Sequence, residues 1–396
     1  MVKSGKVLRT GISGIFLILL LLLFLSPKTT ETYENLPKLT KHCPPGFKKN
    51  KNNECIAVNL YQQYDSPNNG GVGGLQTSPP EIRDGFSPQE IDLGRYLFFD
   101  PVLSGDGTIS CATCHAPEKG FSDGLATSIG TNGERLTRGA PTLWNVGYLK
   151  KLFWDGRAQT LEAQMKEPLF AHNEMDNTPE NLLKTLNEVD NYRKLFSEAF
   201  PQRPAAQKID LEEIYTAIAG FQASLISLNS KYDHYAHGYD DALNANEIEG
   251  LNVFRSFVAR CAECHTPPLF TNQQFAVIGS PEPNGLPLDA GAQVPFNDST
   301  LRGAFKVPTL RNIAKTAPYM HSGNFKTLRE TVEFYTKGRG HAVPEGEKLN
   351  IHWHIWEPQL SEYELDRLVD FLMTLTDESF RPQVPAVLPS GLQPST

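Results

Sequence analysis

The sequence predicts a mainly α fold: two helical domains with long loops, behind an N-terminal apolar segment and a small cysteine loop. Three observations predict it. Capping-box starts recur along the chain, each followed by apolar residues at helical spacing. Strand-like alternation is sparse. One pentapeptide pattern occurs twice, at 111–115 and 261–265, on either side of a break near residues 230–245. A chain of 396 residues also exceeds a single core, which agrees with two domains.

The elements follow in order. Lys3, Lys6 and Arg9 precede an apolar run, Ile12 to Leu25, broken only by Ser13 and Gly14. The run is shorter than the roughly 20 residues of a comfortable span, so residues 1–26 read as a signal peptide. No small-x-small pattern follows at Leu25-Ser26-Pro27-Lys28, which leaves an uncleaved membrane anchor as the alternative. Both readings predict a periplasmic protein. Residues 27–86 read as a tether with a disulfide loop and a linker, Ser66 to Pro80 being rich in Pro, Gly, Asn and Ser. Cys43 and Cys55 are most simply a disulfide in an oxidising compartment, with two free thiols as the alternative.

Order begins at Ser87-Pro88-Gln89-Glu90, a capping box with proline at the first helical position, followed by Ile91, Leu93 and Leu97. Asp210 to about Asn229 is a long helix with Ile214, Ile218, Phe221 and Leu225 on one face. Asn244-Ala245-Asn246-Glu247 opens another, running through Ile248, Leu251, Phe254, Phe257 and Val258 into the second pentapeptide. Thr327-Leu328-Arg329-Glu330 opens a helix stopped by Gly338. Ser361-Glu362-Tyr363-Glu364 opens the last, with Leu365, Leu368, Val369, Leu372 and Leu375 in phase. The domains expected are 87–240 and 241–380, with a Pro-rich tail at 381–396. No repeat is evident beyond the pentapeptide and the helix before it.

The pentapeptides are Cys111-Ala112-Thr113-Cys114-His115 and Cys261-Ala262-Glu263-Cys264-His265. Both are C-x-x-C-H, the attachment signature of a c-type haem. The thiols add to the haem vinyl groups, and the adjacent histidine sits under the iron. A redox dithiol or a four-cysteine zinc site would use the same cysteines, yet neither requires a histidine directly after the second. The chain therefore predicts two covalently bound haem c groups, in two cytochrome c-like helical haem domains. A formal charge of −8 argues against a nucleic-acid surface and allows a basic protein partner.

Longer strings carry a family resemblance. Leu93-Gly94-Arg95-Tyr96-Leu97-Phe98-Phe99-Asp100-Pro101, the first C-x-x-C-H and Phe153-Trp154-Asp155-Gly156-Arg157-Ala158 resemble the N-terminal domain of bacterial dihaem cytochrome c peroxidases and the related MauG enzymes. Lys306-Val307-Pro308-Thr309-Leu310-Arg311-Asn312 and Thr316-Ala317-Pro318-Tyr319-Met320-His321 resemble the C-terminal domain. The likeness spans about residues 87–378. It implies that hydrogen peroxide meets the haem over His115, that Glu174 assists O–O cleavage, and that Gln164 and Pro168 line the pocket. It makes Trp154 the bridge between haems, and Asn145, Thr316 and Pro318 the ligands of an interhaem calcium ion. Dimers are frequent in the family; the sequence itself leaves the oligomeric state open, with a homodimer among the options.

Two departures bear on the chemistry. Many bacterial dihaem peroxidases carry a gating histidine after a Thr-Ser-Ile-Gly string; here Thr131-Asn132-Gly133 follows, so the first iron is expected to be open, as in MauG. The distal ligand of the second haem is a methionine in the peroxidases, and its position falls on Tyr335, again as in MauG. A tyrosine oxygen favours ferric and higher states, suiting a haem that stores an oxidising equivalent. MauG's surface tryptophan, by contrast, corresponds to Ala259.

Read without the family, Glu174 is a surface acid ahead of a helix capped by Thr178, Tyr335 continues the apolar face of Leu328 and Val332, and Trp154 is core. Met320 is the rival ligand; Met165, Met175 and Met373 match no ligand position. His321 is expected near a haem edge rather than on iron, and His172, His234, His237, His341, His352 and His354 read as surface or satisfied histidines. The run Ile351-His352-Trp353-His354-Ile355-Trp356 reads as a packed strand or turn, with a docking patch as the alternative. The function expected is a peroxide-using dihaem oxidoreductase that oxidises a protein partner or accepts electrons from a small cytochrome c or cupredoxin. The alternatives are an ordinary cytochrome c peroxidase and a non-catalytic electron-transfer cytochrome.

Overall fold

Helices carry most of the order, and their starts are where side-chain caps sit. The computed structural model describes residues 37–395 except 65–77, 205, 284, 337–342 and 356–357. The expected signal or anchor, most of the Ser66–Pro80 stretch, Gly338, His341 and Trp356 lie outside the described residues. Ser87 accepts from the Glu90 amide while the Glu90 carboxylate accepts from the Ser87 amide, at 3.1 and 2.6 Å, opening the helix Pro88–Phe99. The same reciprocal box opens Leu211–Ala223, Ala245–Phe254 and Glu362–Met373. Three further helices, Leu161–Phe170, Pro179–Glu188 and Asp190–Ala199, complete the first half. Among the described residues, strands form only two antiparallel two-stranded ribbons, Phe47–Lys49 with Cys55–Ala57 and Phe275–Val277 with Ala304–Lys306.

Two helices stop earlier than their apolar pattern does. Leu211–Ala223 ends short of Asn229 because Ser224 turns its hydroxyl onto the Phe221 carbonyl (2.7 Å), and the Asn145 amide takes the Leu225 carbonyl (2.7 Å). Ala245–Phe254 ends before Phe257 and Val258, which are 81% and 49% exposed rather than core. A turn held by Ser256, with Arg260 in the left-handed region, instead aims the chain at Cys261.

Two large apolar cores result, beside two small clusters around Leu228 and Ala304. The first runs from Leu39 to Leu225 and includes Leu388; the second runs from Tyr232 to Leu375. Each is built on a helix pair that crosses at a glycine. A Cβ on Gly94 would fall 1.9 Å from the Ala217 carbonyl oxygen, and one on Gly250 1.9 Å from that of Arg367. The correspondence continues along both halves. Phe121 and Phe270 are both left-handed, as are Asn145 and Asn312, which close the strings Pro141-Thr142-Leu143-Trp144-Asn145 and Pro308-Thr309-Leu310-Arg311-Asn312. The repeat thus extends well beyond the pentapeptide and its preceding helix. Ser227 joins the two copies: the Asn145 amide group exchanges hydrogen bonds with its backbone (both 2.9 Å), and Asn312 donates to its hydroxyl (2.6 Å).

Cys43 and Cys55 form a disulfide closing the N-terminal hairpin. The hairpin is docked rather than tethered, through Cys55 N–H to Phe86 O and Thr40 N–H to Asp92, each 2.8 Å. The Pro-rich tail also packs. Leu388 is buried in the first core, Ser390 donates to Asp100 (2.8 Å), and Ser395 meets Ser110, the cap of the first C-x-x-C helix, at 2.7 Å. Among the described residues no helix is long and apolar enough to cross a membrane.

Candidate active site

Each C-x-x-C-H occupies one short helical turn, Cys111–Cys114 or Cys261–Cys264, with the histidine as its C-cap. His115 Nδ1 lies 2.9 Å from Phe121 O, and His265 Nδ1 lies 3.1 Å from both Phe270 O and Pro308 O. A carbonyl only accepts, so Nδ1 carries the proton and Nε2 keeps its lone pair for a metal. Burial pushes both imidazoles below the ordinary histidine value, His265 to about 4, which keeps them neutral. The left-handed Phe121 and Phe270 present these carbonyls, so the positive φ of both serves the histidines.

A single cavity of about 490 Å³ is lined by both histidines together with Cys114, Cys261 and Cys264. All four motif cysteines are free of disulfides. Free thiol pairs, neutral histidines with an open Nε2 and a largely apolar cavity fit two covalently attached haems. Trp154, Gln164, Pro168, Glu174, Thr316, Pro318, Met320, His321 and Tyr335 share its wall.

Glu174 is held from behind. Its carbonyl accepts the Thr131 amide (2.9 Å), and Gly130 packs so closely that a Cβ would lie 2.0 Å from Asn173 O. Burial raises its carboxyl above the ordinary glutamate value, Arg157 pulls it down and Glu167 pushes it up. The segment Thr131-Asn132-Gly133 is therefore the loop that buttresses Glu174. Trp154 follows the left-handed Phe153; its indole N–H donates to Gly139 O (2.9 Å) and its carbonyl accepts the Lys306 amide (2.8 Å). His321 lies edge-on to it, ring centres 6.4 Å apart, stacked on Phe305 and bonded through Nε2 to Glu282 (2.8 Å). It is 2% exposed and lines the cavity.

The repeat relates the two distal walls. The turns Leu152–Ala158 and Tyr319–Phe325 are each closed by a bridge and carry left-handed Phe153 and Met320. Aligned on them, Leu161 matches Leu328, and seven residues on, Pro168 matches Tyr335. The first half thus has a side chain without donor atoms where the second has a phenol. Burial raises the Tyr335 phenol, and it lies beside Cys261 and Cys264. Met373 is 53% exposed, and Met165 and Met175 belong to the first core.

Of the expected calcium ligands, Asn145 is not part of the cavity lining. Thr316 and Pro318 line the cavity, but the Asn145 amide is buried against Ser227, its oxygen already accepting the Ser227 N–H. Among the described residues no group of three or more His, Cys, Asp or Glu could hold a metal ion. Lys306, Arg138, Gln222 and His354 also line the cavity and were not singled out by sequence reasoning as site residues; His354 Nε2 lies 2.7 Å from the Glu263 carboxylate. The lysine sits inside the string that carries the family resemblance, a signal that was available.

Comparison with known proteins agrees with this geometry. A profile of the di-haem cytochrome c peroxidases matches residues 88–241. The methylamine utilization protein MauG of Methylorubrum extorquens is 36% identical over 74% of this chain and 79% of its own length. The cytochrome c551 peroxidase of Nitrosomonas europaea is 35% identical over 76% of this chain and 84% of its own. A solved MauG-like protein associated with microbial copper homeostasis superposes with a TM-score of 0.69 at 33% identity, covering 76% of this chain and 94% of its own.

Proposed function

The chain belongs to the di-haem cytochrome c peroxidase family of peroxide-dependent oxidoreductases, and from that premise we propose a MauG-like division of labour between its two halves. Cys111, Cys114 and His115 would hold one haem and Cys261, Cys264 and His265 the other. When bound, the haems supply the redox-active irons that take up the oxidising equivalents of peroxide. Glu174 receives the proton from the inner peroxide oxygen and delivers it to the outer one, which a half-buried carboxyl of raised pKa is suited to do. Gln164 and Pro168 border the same space and leave the first site without a competing side-chain ligand. Tyr335 offers its phenol oxygen on the second side, and Trp154 stands between the two. The observation that carries this reading is the shared cavity: one lining contains both histidines, Glu174, Trp154 and Tyr335.

Beyond the cavity, the Cys43–Cys55 disulfide supports an oxidising compartment, the periplasm, with residues 1–26 as signal or inner-membrane anchor. The partner is a protein whose aromatic side chains are oxidised, or a small cytochrome c or cupredoxin that donates electrons; a homodimer is part of the same reading. An interhaem calcium would need the second lone pair of the Asn145 oxygen, with the carbonyls of Thr316 and Pro318. Tyr335 and Met320 both line the cavity, and substitution separates them. In the oxidised, loaded protein, Tyr335→Phe should convert the low-spin spectrum of the second haem to high-spin, and Met320→Leu should leave it unchanged. The reverse result makes Met320 the ligand and the chain an ordinary peroxidase.

A further inference from the structure

Four lysine or arginine side chains line the cavity: Arg138, Arg157, Arg260 and Lys306. Three are committed elsewhere. Arg138 pairs with Asp155 and Asp289, both at 2.7 Å; Arg157 pairs with Asp155 (2.9 Å) and Glu167 (2.7 Å); Arg260 faces Glu263 at 3.7 Å. Lys306 forms no ion pair and no side-chain hydrogen bond among the described residues, although it is only 8% exposed. Burial pushes its ammonium down to about 8, and nearby Lys151 pushes the same way. A second donor also lacks a partner: the Ser280 hydroxyl, in a residue that lines the cavity, is buried and makes no hydrogen bond among the described residues. An ammonium and a hydroxyl that line one cavity without partners call for an acceptor there, and the ammonium favours an anionic one.

We propose that Lys306 is the cationic anchor for a carboxylate of a cofactor held in this cavity, with Ser280 as an accessory donor. The inference rests on the reading that the cavity holds two haems, each of which carries two carboxylate side chains. An ammonium–carboxylate contact there is a charge-assisted hydrogen bond in a setting that screens it little, which compensates the burial of both charges. Its place in the fold gives it a further consequence. The Lys306 backbone N–H donates to the Trp154 carbonyl (2.8 Å), so the anchor is fixed to the residue that stands between the two halves. Pairing with a carboxylate balances the positive charge of this buried lysine. The repeat makes the anchor one-sided: Lys306 precedes Pro308 by two residues, and the residue that so precedes Pro141 is Gly139. One haem, not both, should depend on it.

The test uses the fully loaded protein and reads potentials and vibrations rather than turnover. In Lys306→Met, both haems should attach, as mass reports. The midpoint potential of one haem should fall, because losing a neighbouring cation favours the ferric form. The resonance Raman band of a haem carboxylate should shift with it. Lys306→Arg should retain both values, and Lys306→Gln should repeat the loss if the methionine variant folds poorly. Lys151→Met, whose ammonium lies over the Phe275 ring, should move neither. Unchanged potentials and bands in both neutral Lys306 variants would overturn the anchor alone, as would an equal fall in Lys151→Met. A wild-type protein that attaches no haem would overturn the reading beneath it as well.

Discussion

Replacing Glu174 with glutamine keeps the side chain's shape and removes the oxygen that accepts the peroxide proton. A positioned general acid–base contributes about 10²- to 10⁴-fold, or roughly 3–5 kcal/mol of barrier at 1.36 kcal/mol per decade. Rapid mixing of the oxidised, loaded protein with peroxide should show a loss of that size, with haem content unchanged. The pH dependence carries the sharper test. The working form is the carboxylate, so the rate should rise with pH through a pKa lying above the ordinary glutamate value. That acid limb should vanish in Glu174→Gln. Arg157 pulls the carboxyl down and Glu167 pushes it up, so Arg157→Met should move the limb to higher pH and Glu167→Gln to lower pH. Arg157 also lies 3.5 Å over the Phe153 ring, and its variant is compared at equal haem content. A Glu174→Gln rate within about threefold of wild type, or limbs that move the same way in both neighbours' variants, would refute the proton-transfer role.

Other consequences follow from the same geometry. Gly130→Ala puts a Cβ 2.0 Å from Asn173 O and 3.0 Å from Glu174 O, so it should displace Glu174 and slow the peroxide reaction by about tenfold or more with both haems attached; an unchanged rate would contradict the buttress. Asp233→Ala strands the fully buried Arg311, which it now holds at 2.6 and 2.7 Å; denaturant unfolding should show a loss of about 3–5 kcal/mol, and a loss under about 1 kcal/mol would argue against it. Deleting residues 386–396 exposes the site of Leu388, worth about 1.5–3 kcal/mol, and removes the Ser390 and Ser395 bonds. Hydrogen exchange should then quicken in Pro88–Phe99 and not in Glu362–Met373; equal changes in both would mean the tail is not specific to the first core.

What was legible in the sequence is what local chemistry fixes. Capping boxes at Ser87, Asn244 and Ser361 satisfy helix amides within four residues, and the C-x-x-C-H strings each close within one turn. The Cys43–Cys55 pairing was legible because the two C-x-x-C-H strings claim the other four cysteines. What escaped depends on distant partners. Leu225 continues the apolar face of its helix, yet Asn145 claims its carbonyl, and Phe257 and Val258 keep helical spacing while facing water. The docking of the hairpin and the tail rests on Thr40 with Asp92 and on Ser395 with Ser110, contacts no local pattern announces. The repeated Pro-Thr-Leu-x-Asn string was readable, but it acquires meaning only when Ser227 joins both copies. Glu174, Gln164 and Tyr335 could be singled out only by resemblance, since their spacing alone suits a surface acid and an ordinary helix face.

The central claim is that the two halves share one cavity and respond to peroxide together, without prior reduction. Adding stoichiometric hydrogen peroxide to the fully ferric, two-haem protein, with no reductant and with optical and EPR detection, tests it most directly. The high-spin and low-spin ferric signals should be lost together, to a state that outlasts mixing. No reaction until one haem has been reduced would contradict it, and would return the chain to an ordinary cytochrome c peroxidase awaiting its electron donor.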